Sequence, residues 1–206
     1  ILNDKGILWE SGQHSLSSME GASIAVKSPG IPGNIPLLNG LRAKGTRIIS
    51  EIEFAAQSTS ATLIGITGTN GKTTTTMMTY EILKNAGLNV GLAGNIGSSF
   101  AKQVAEEDYE FYVLEISSFQ LDDIDQFAPH IALITNITPD HLDRYDYSFE
   151  AYIQAKLKIT KNQSSKNFFL FNADDEILVS ALKDHKTNAQ TVSFGSNPTE
   201  TTGSYL

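Results

Sequence analysis

Cysteine is absent from this 206-residue sequence. Its absence excludes disulfide bonds and thiolate metal sites, and it is compatible with a reducing cytoplasm. The sequence also lacks an apolar run near the roughly 20 residues that cross a bilayer, and no signal-peptide pattern opens it. We therefore expect a cytoplasmic protein that has no membrane partner.

Positive charge is scarce. The chain has 15 lysine and arginine residues against 23 aspartate and glutamate residues, which gives a formal net charge of −8. This balance argues against a general nucleic-acid binder, so we expect no nucleic-acid partner. An anionic ligand would have to be held by local hydrogen-bond donors. Because 40% of the residues are hydrophobic, the chain can form one large or two small packed domains.

Strand-like and helix-like segments alternate from Ala61 onward. Short apolar runs rich in β-branched residues predict strands, and longer stretches without glycine or proline predict helices. The predicted strands are 61–67, 89–94, 110–117, 130–137, 166–172 and 190–195, and the predicted helices are 72–86, one ending near 104, 148–162 and 175–184. This alternation predicts an α/β fold, with a mostly parallel sheet and helices on both of its faces.

The first sixty residues carry a weaker pattern. SIAVKSPGIPG (23–33) predicts a short strand that enters a Pro/Gly turn, and residues 45–57 predict a strand followed by a helix. QSTSAT (57–62) is small and polar enough to be a linker. We therefore predict a domain boundary near residue 59.

The stretch GITGTNGKTTTT (65–76) lies between a predicted strand and a predicted helix. In this context a glycine turn followed by Lys-Thr predicts a phosphate-binding loop, whose backbone N–H groups and helix N-terminus hold phosphate oxygens. The strict G-x-x-x-x-G-K-[ST] pattern is not met, because its first glycine would fall on Ile66. The alternative is a turn that merely starts a helix. The candidate nucleotide-binding residues are Gly68, Thr69, Asn70, Gly71, Lys72, Thr73 and Thr74.

Glu115 ends the apolar run FYVLE. A carboxylate at the carboxyl end of a parallel strand lies in the crevice where ligands bind, and beside a phosphate loop it can hold Mg²⁺. The alternative is an ordinary surface glutamate at a strand end. The neighbouring loop favours the metal interpretation.

His141 follows the next predicted strand, in NITPDHLDRY (136–145). Thr138 and Pro139 predict the start of a helix there. His141 is then expected on the same rim of the sheet as Glu115, although a lone histidine is more often structural than a ligand.

Lys156 lies in the predicted helix 148–162, on the flank of an apolar face, and Ser148 is the predicted N-cap. Its stem can cover apolar surface while the amine stays in water. Alternatively, the amine is partly desolvated and its pKa is lowered. A neutral amine can add CO₂ and become a carbamate, which is a metal ligand. The residues alone leave both alternatives open.

Several motifs together resemble those of the Mur ligases, the ATP-dependent amide-forming enzymes of peptidoglycan precursor synthesis. Their order and spacing match from Ser28 to about Asn197. The SSFQL segment resembles the branch of the family that adds D-glutamate. The matching motifs are SPGIP (28–32), TGTNGKTT (67–74), GNIG (94–97), LEISSFQL (114–121), NITPDHLDRY (136–145), AYIQAK (151–156), FNADD (171–175) and SFGSN (193–197).

The resemblance implies a domain plan. Residues 1–59 would be part of an N-terminal, UDP-binding, Rossmann-like domain, and residues 60–206 an incomplete central ATP-binding domain of the P-loop type. The family's opening strand and its C-terminal domain are absent from this sequence. We therefore expect this piece alone to be inactive.

The resemblance also implies roles for the catalytic candidates. Lys72 would contact the ATP phosphates, and Thr73 with Glu115 would hold one Mg²⁺. His141 and a carbamylated Lys156 would serve a second Mg²⁺.

Substrate contacts follow from the same resemblance. Asn95 would touch the muramoyl group, and the turn of Ser28, Pro29 and Gly30 would help to hold the nucleotide end. Asp4 would contact the uracil, although the alignment is poor there.

The implied reaction joins two small molecules, UDP-N-acetylmuramoyl-L-alanine and D-glutamate, and the enzyme is expected to be a monomer. Two other classes stay open from the residues. One is a P-loop switch, kinase or other NTPase, which would not depend on a carboxylate substrate. The other is a nucleotide-binding module without catalysis.

Overall fold

A computed structural model describes residues 2–196 and the backbone of residues 203–205. Asn197, which ends the SFGSN motif, lies outside the described residues. Within the described part, the chain forms one two-stranded and one seven-stranded sheet.

The smaller sheet is built by the first part of the chain. In order, its elements are the 3-10 helices Asn3–Lys5 and Leu16–Met19, β1 (Ile24–Lys27), α1 (Pro36–Ala43), β2 (Arg47–Ser50) and α2 (Glu51–Ala56). Strands β1 and β2 pair in parallel. The strand–turn and strand–helix predictions are confirmed, whereas helix α1 was not predicted.

The larger sheet begins at Thr62, which is the last residue of the predicted linker 57–62. Its elements are β3 (Thr62–Thr67), α3 (Lys72–Asn85), β4 (Val90–Gly94), α4 (Phe100–Glu106), β5 (Phe111–Glu115), α5 (Ser118–Asp122), β6 (Ile131–Ile134), a 3-10 helix (Leu142–Tyr145), α6 (Phe149–Leu157), a 3-10 helix (Lys158–Thr160), β7 (Phe168–Asn172), α7 (Glu176–Leu182), β8 (Gln190–Gly195) and β9 (Gly203–Tyr205). Each predicted strand is present, and helix α5 was not predicted.

All pairs of the larger sheet are parallel, in the order β4-β5-β3-β6-β7-β8-β9. The chain first builds one side of β3 and then the other, so the strand order reverses beside β3. In open parallel sheets, ligands bind outside the carboxyl ends of the strands at such a reversal. The predicted α/β class is confirmed.

Side chains pack on both faces of this sheet. Those of β3 alternate between the two faces and belong to two different core clusters. Ile64 and Ile66 belong to a core cluster with Tyr80 and Leu83 of α3. Leu63 points to the other face and belongs to the larger core cluster, which contains side chains of α2, α4, α5 and α6.

Helix α2 connects the two sheets. Ile52 and Ala55 belong to the larger core cluster, and Glu53 is 0% exposed. The Glu53 carboxylate accepts backbone N–H bonds from residues 125–127 at 2.8 to 3.1 Å. The segment before β6 is thereby fixed to α2. The domain boundary near residue 59 stays a prediction, since α2 packs on the core of the larger sheet.

Two helix predictions were wrong in their limits. The predicted helix 148–162 is α-helical only as far as Leu157, and one 3-10 turn follows it. Its predicted N-cap is confirmed, because the Ser148 side chain accepts a bond from the Ala151 N–H at 3.2 Å. No helix starts at Thr138, because the next helical turn begins at Leu142. None of the helices in the described part of the chain has the length and apolar character needed to cross a bilayer.

The buried carboxylate of Glu53 generates a stability prediction. Glu53→Ala leaves the N–H groups of residues 125–127 without their acceptor, so the free energy of unfolding should fall by about 3 kcal/mol. Urea denaturation measures this change. Glu81→Ala on the exposed side of α3 is the control, and it should change stability by less than about 0.5 kcal/mol. Equal urea midpoints for the two variants would contradict the anchoring role of Glu53.

Candidate active site

Three neighbouring strands end at one rim of the larger sheet. Gly94 of β4 pairs with Glu115 of β5, and Glu115 pairs with Ile66 of β3. The glycine turn that follows β3 therefore starts next to the Glu115 carboxylate. This arrangement places the predicted phosphate loop and the predicted metal carboxylate together.

The turn between β3 and α3 requires glycine at two positions. Gly68 has φ 146° and Gly71 has φ 78°, values that side-chain-bearing residues rarely adopt. A Cβ at Gly68 would also lie 1.9 Å from Thr135 Oγ1. Gly71 caps α3, which begins at Lys72. The first backbone N–H groups of this 14-residue helix have no partner within the helix and, with the helix dipole, favour an anion.

The segment after β6 holds the turn in place. The Asn136 side chain accepts a bond from Asn70 N–H at 2.8 Å and donates one to Asn70 O at 3.0 Å. Thr135 Oγ1 donates to the same carbonyl at 2.7 Å. Thr69 Oγ1 accepts from Thr138 N–H and donates to Thr138 O. Sequence reasoning did not find these supports, although polar residues directly after a buried strand were a usable signal.

Lys72 is the first residue of α3, and its Nζ donates to Thr69 O at 2.8 Å. The amine thus folds back over the turn instead of extending along the helix. Thr73 and Thr74 occupy the next positions and are exposed. Their hydroxyls are accessible to a ligand at the helix N-terminus.

Glu115 is almost fully buried, at 2% exposure. Its Oε1 accepts a bond from Asn95 Nδ2 at 2.8 Å, and its backbone carbonyl accepts from Asn95 N–H at 2.8 Å. Among the described residues, Oε2 has no hydrogen-bond partner, nor does the buried Thr67 Oγ1. A buried carboxylate oxygen without a partner is costly unless a cation or a donor arrives. Oxygen atoms of this kind fit Mg²⁺.

Lys156 projects from α6 and is 1% exposed. Its Nζ donates to Gly68 O at 2.7 Å and lies 4.6 Å from the centroid of the Tyr152 ring. The pKa of Lys156 is lowered from 10.5 to about 7, chiefly by burial and also by the charge of Lys72, while Asp140 acts in the opposite direction. The structure thus has the desolvated lysine rather than the solvated one.

His141 immediately precedes the 3-10 helix Leu142–Tyr145, with its backbone in the left-handed region at φ 50°. Its ring is largely exposed, Nε2 lies 3.5 Å from an Asp140 carboxylate oxygen, and the ring centroid is 5.4 Å from that of Phe119. The imidazole is therefore accessible from the rim of the sheet.

These elements surround a cavity of about 210 Å³. Six predicted site residues line it together, and they are Pro29, Gly30, Lys72, Asn95, His141 and Lys156. Glu115 adjoins it through Asn95. Ser28 precedes the lining turn, and Asp4 lies in the first 3-10 helix and does not line this cavity. Within residues 2–196, no group of three His, Cys, Asp or Glu side chains can hold a metal by itself.

Comparison with known proteins agrees with this architecture. The profile of the Mur ligase middle domain matches residues 66–204. Over 206 residues the chain is 52% identical to the UDP-N-acetylmuramoylalanine–D-glutamate ligase of Bacteroides fragilis and 46% identical to the enzyme of the same name from Christiangramia forsetii. In both cases it spans 46% of the relative's length.

Solved structures support the fold. A Neisseria meningitides UDP-N-acetylmuramate:L-alanyl-γ-D-glutamyl-meso-diaminopimelate ligase matches 94% of this chain and 65% of its own, with TM-score 0.61 and 19% identity. A pseudomurein peptide ligase from Methanothermus fervidus matches 94% of this chain and 40% of its own, with TM-score 0.51 and 28% identity. The family profile covers well over half of the sequence, so this chain belongs to the Mur ligase family.

Proposed function

We propose that this chain is part of an ATP-dependent ligase that adds D-glutamate to UDP-N-acetylmuramoyl-L-alanine in peptidoglycan precursor synthesis. The observation that carries the proposal is one cavity lined by Lys72 and the buried Lys156. The same cavity is lined by Pro29 and Gly30 of the turn after β1, which we call the substrate-side turn. The relatives that match the chain over its full length bear the corresponding name. Residues 60–206 would bind ATP, and residues 1–59 would contribute to the UDP-binding part.

The turn and Lys72 would bind the triphosphate. Mur ligases are ATP-dependent, and the backbone N–H groups at the start of α3 suit phosphate oxygens. Lys72 would exchange its bond to Thr69 O for an outer phosphate oxygen. The hydrogen bonds from residues 135–138 keep the turn in one conformation, so little ordering is needed when ATP binds.

Glu115 and Thr73 would hold one Mg²⁺, and His141 with Lys156 would serve a second. Glu115 Oε2, which has no hydrogen-bond partner among residues 2–196, supports the first assignment. A bound Mg²⁺ would neutralise charge between the carboxylate and triphosphate substrates. Lys156 fits the second assignment only after modification, because an ammonium group has donors but no acceptor.

Carbamylation would make Lys156 a ligand. The amine nitrogen forms a bond to the carbon of CO₂ and loses one proton, which leaves a carbamate anion with two acceptor oxygens. The buried position of Lys156 supports this step, because only a neutral amine is a nucleophile and burial disfavours the ammonium form.

The reaction then needs two displacements. The L-alanyl carboxylate attacks the γ-phosphorus of ATP and forms an acyl phosphate, while ADP leaves. The amine of D-glutamate attacks the acyl carbon, phosphate leaves, and the nitrogen loses a proton. In the first step, Lys72 would offset the charge that develops on the transferred phosphoryl group, so the chain acts by positioning and electrostatics.

Turnover of the full-length protein tests this proposal. Phosphate release from ATP should require both UDP-N-acetylmuramoyl-L-alanine and D-glutamate, and Lys72→Ala should lower it by at least about a hundredfold. Lys84→Ala, at the other end of α3, is the control and should retain turnover. Full turnover by the Lys72 variant would refute the loop's role. Phosphate release without the muramoyl nucleotide would favour another class of NTPase.

The buried amine of Lys156 predicts a pH dependence of stability. Because its folded-state pKa is lowered to about 7, the unfolded chain binds more protons between about pH 7 and the ordinary lysine pKa of 10.5. Stability should therefore rise with pH above 7, by up to about 1.4 kcal/mol per pH unit. In carbonate-free buffer, Lys156→Met should abolish this rise, and the control Lys158→Met, at a half-buried position that pairs with Asp122, should keep it. The same slope in all three proteins would rule the prediction out.

The carbamate makes a separate prediction. With ¹³C-labelled bicarbonate, the full-length protein should show a protein-bound carbamate signal in its NMR spectrum at pH 8, where Lys156 is mainly neutral. Lys156→Met should lack that signal, and Lys158→Met should retain it. A spectrum without the signal, together with turnover that does not respond to bicarbonate, would exclude the modification.

A further inference from the structure

Arg144 connects the substrate-side turn to the rim of the larger sheet. It lies in the 3-10 helix Leu142–Tyr145, and its guanidinium donates one bond to Pro29 O and one to Gly30 O, each at 3.2 Å. Pro29 and Gly30 line the cavity that also contains Lys72 and Lys156. One side chain thus holds two consecutive peptides of the cavity wall.

The guanidinium is itself held in one orientation. Its carbon lies 4.6 Å from the centroid of the Phe119 ring, and that ring stacks on Tyr145 with the centroids 6.0 Å apart and the planes at 19°. The backbone N–H of Arg144 donates to His141 O at 3.0 Å. Planar stacking and a two-pronged donor are properties of arginine that lysine does not reproduce.

The geometry of the turn determines which groups face the cavity. No cis peptide bond is present in the described chain, so the Gly30 N–H points opposite to the Pro29 carbonyl. The carbonyl faces Arg144, which lines the neighbouring cavity with Lys27 and Asp123. The Ile31 N–H is used inside the turn, where it donates to Ser28 O at 3.0 Å. The Gly30 N–H therefore points away from Arg144, and Gly30 itself lines the cavity of Lys72.

We propose that Arg144 is a positioning residue for the nucleotide-sugar substrate. It holds the Pro29 and Gly30 carbonyls so that the Gly30 N–H donates to an oxygen of that substrate. Loss of Arg144 lets the turn rotate and weakens binding of the nucleotide-sugar, while the ATP loop on the other wall is unaffected. This inference rests on the proposed function.

Two other cationic side chains, Lys27 and Arg47, connect the same two parts of the chain but do not line the cavity of Lys72. Lys27 pairs with Asp123 at 2.9 Å in a buried ion pair, and Arg47 pairs with Asp125 on the surface. None of these four residues lines the cavity of Lys72. Arg47 is therefore a matched control, because its loss removes an arginine contact between the same parts of the chain but leaves the turn alone.

Calorimetric titration of the full-length protein tests the inference, with UDP-N-acetylmuramoyl-L-alanine and ADP as separate ligands. Arg144→Ala should raise the Kd of the nucleotide-sugar about tenfold, for the loss of two charge-assisted hydrogen bonds, and change the Kd of ADP less than about twofold. Arg144→Lys, which keeps the charge, should lose about threefold. Arg47→Ala should bind both ligands as the wild type does. Added guanidinium chloride at low millimolar concentration should restore part of the Arg144→Ala affinity.

Each alternative result has a defined meaning. Equal nucleotide-sugar affinity in Arg144→Ala and wild type would overturn the positioning role and leave the ligase proposal standing. A parallel loss of nucleotide-sugar and ADP affinity would also overturn it, because that pattern indicates general destabilisation. A wild-type protein that does not bind the nucleotide-sugar would overturn the ligase proposal and this inference together.

Discussion

The candidate site depends on the hydrogen bonds that hold the glycine turn of residues 68–71 against the end of β6. A turn of this kind exposes backbone N–H groups, and its glycines allow many conformations unless neighbours restrain them. Here Asn136 bonds both the N–H and the carbonyl of Asn70, while Lys156 donates to Gly68 O. The helix N-terminus can therefore receive an anion without first paying the full entropy of ordering the loop.

Two buried ionisable groups lie beside that turn, and their surroundings differ. The Glu115 carboxylate has an amide donor on one oxygen and, within the part of the chain that the structure describes, no partner on the other. The Lys156 amine has one carbonyl acceptor and an aromatic neighbour. In a site of low dielectric, a carboxylate with one unbonded oxygen attracts a cation, and burial shifts an amine toward its neutral form.

The smaller sheet contributes a wall of the cavity rather than a separate surface. Glu53 of α2 holds the segment before β6, and Arg144 holds the turn after β1. Both contacts join the first part of the chain to the larger sheet. Glu53 of the first part bonds the segment before β6, and Arg144 of the 3-10 helix after β6 bonds the turn after β1. The turn of Pro29 and Gly30 is thus held by Arg144, which lies more than a hundred positions away in the chain.

The sequence predicted the alternation of strands and helices, the glycine turn after β3 and the strand-end position of Glu115, because local periodicity and glycine placement encode these features. It did not determine helices α1 and α5, the 3-10 turn that ends α6, or the absence of a helix at Thr138. The tertiary structure was needed to show that Asn136 supports the loop, that Lys156 is desolvated and that Arg144 holds the turn of Pro29 and Gly30. Each of these depends on partners distant in the chain, whose proximity is created by strand order and packing and leaves no local pattern.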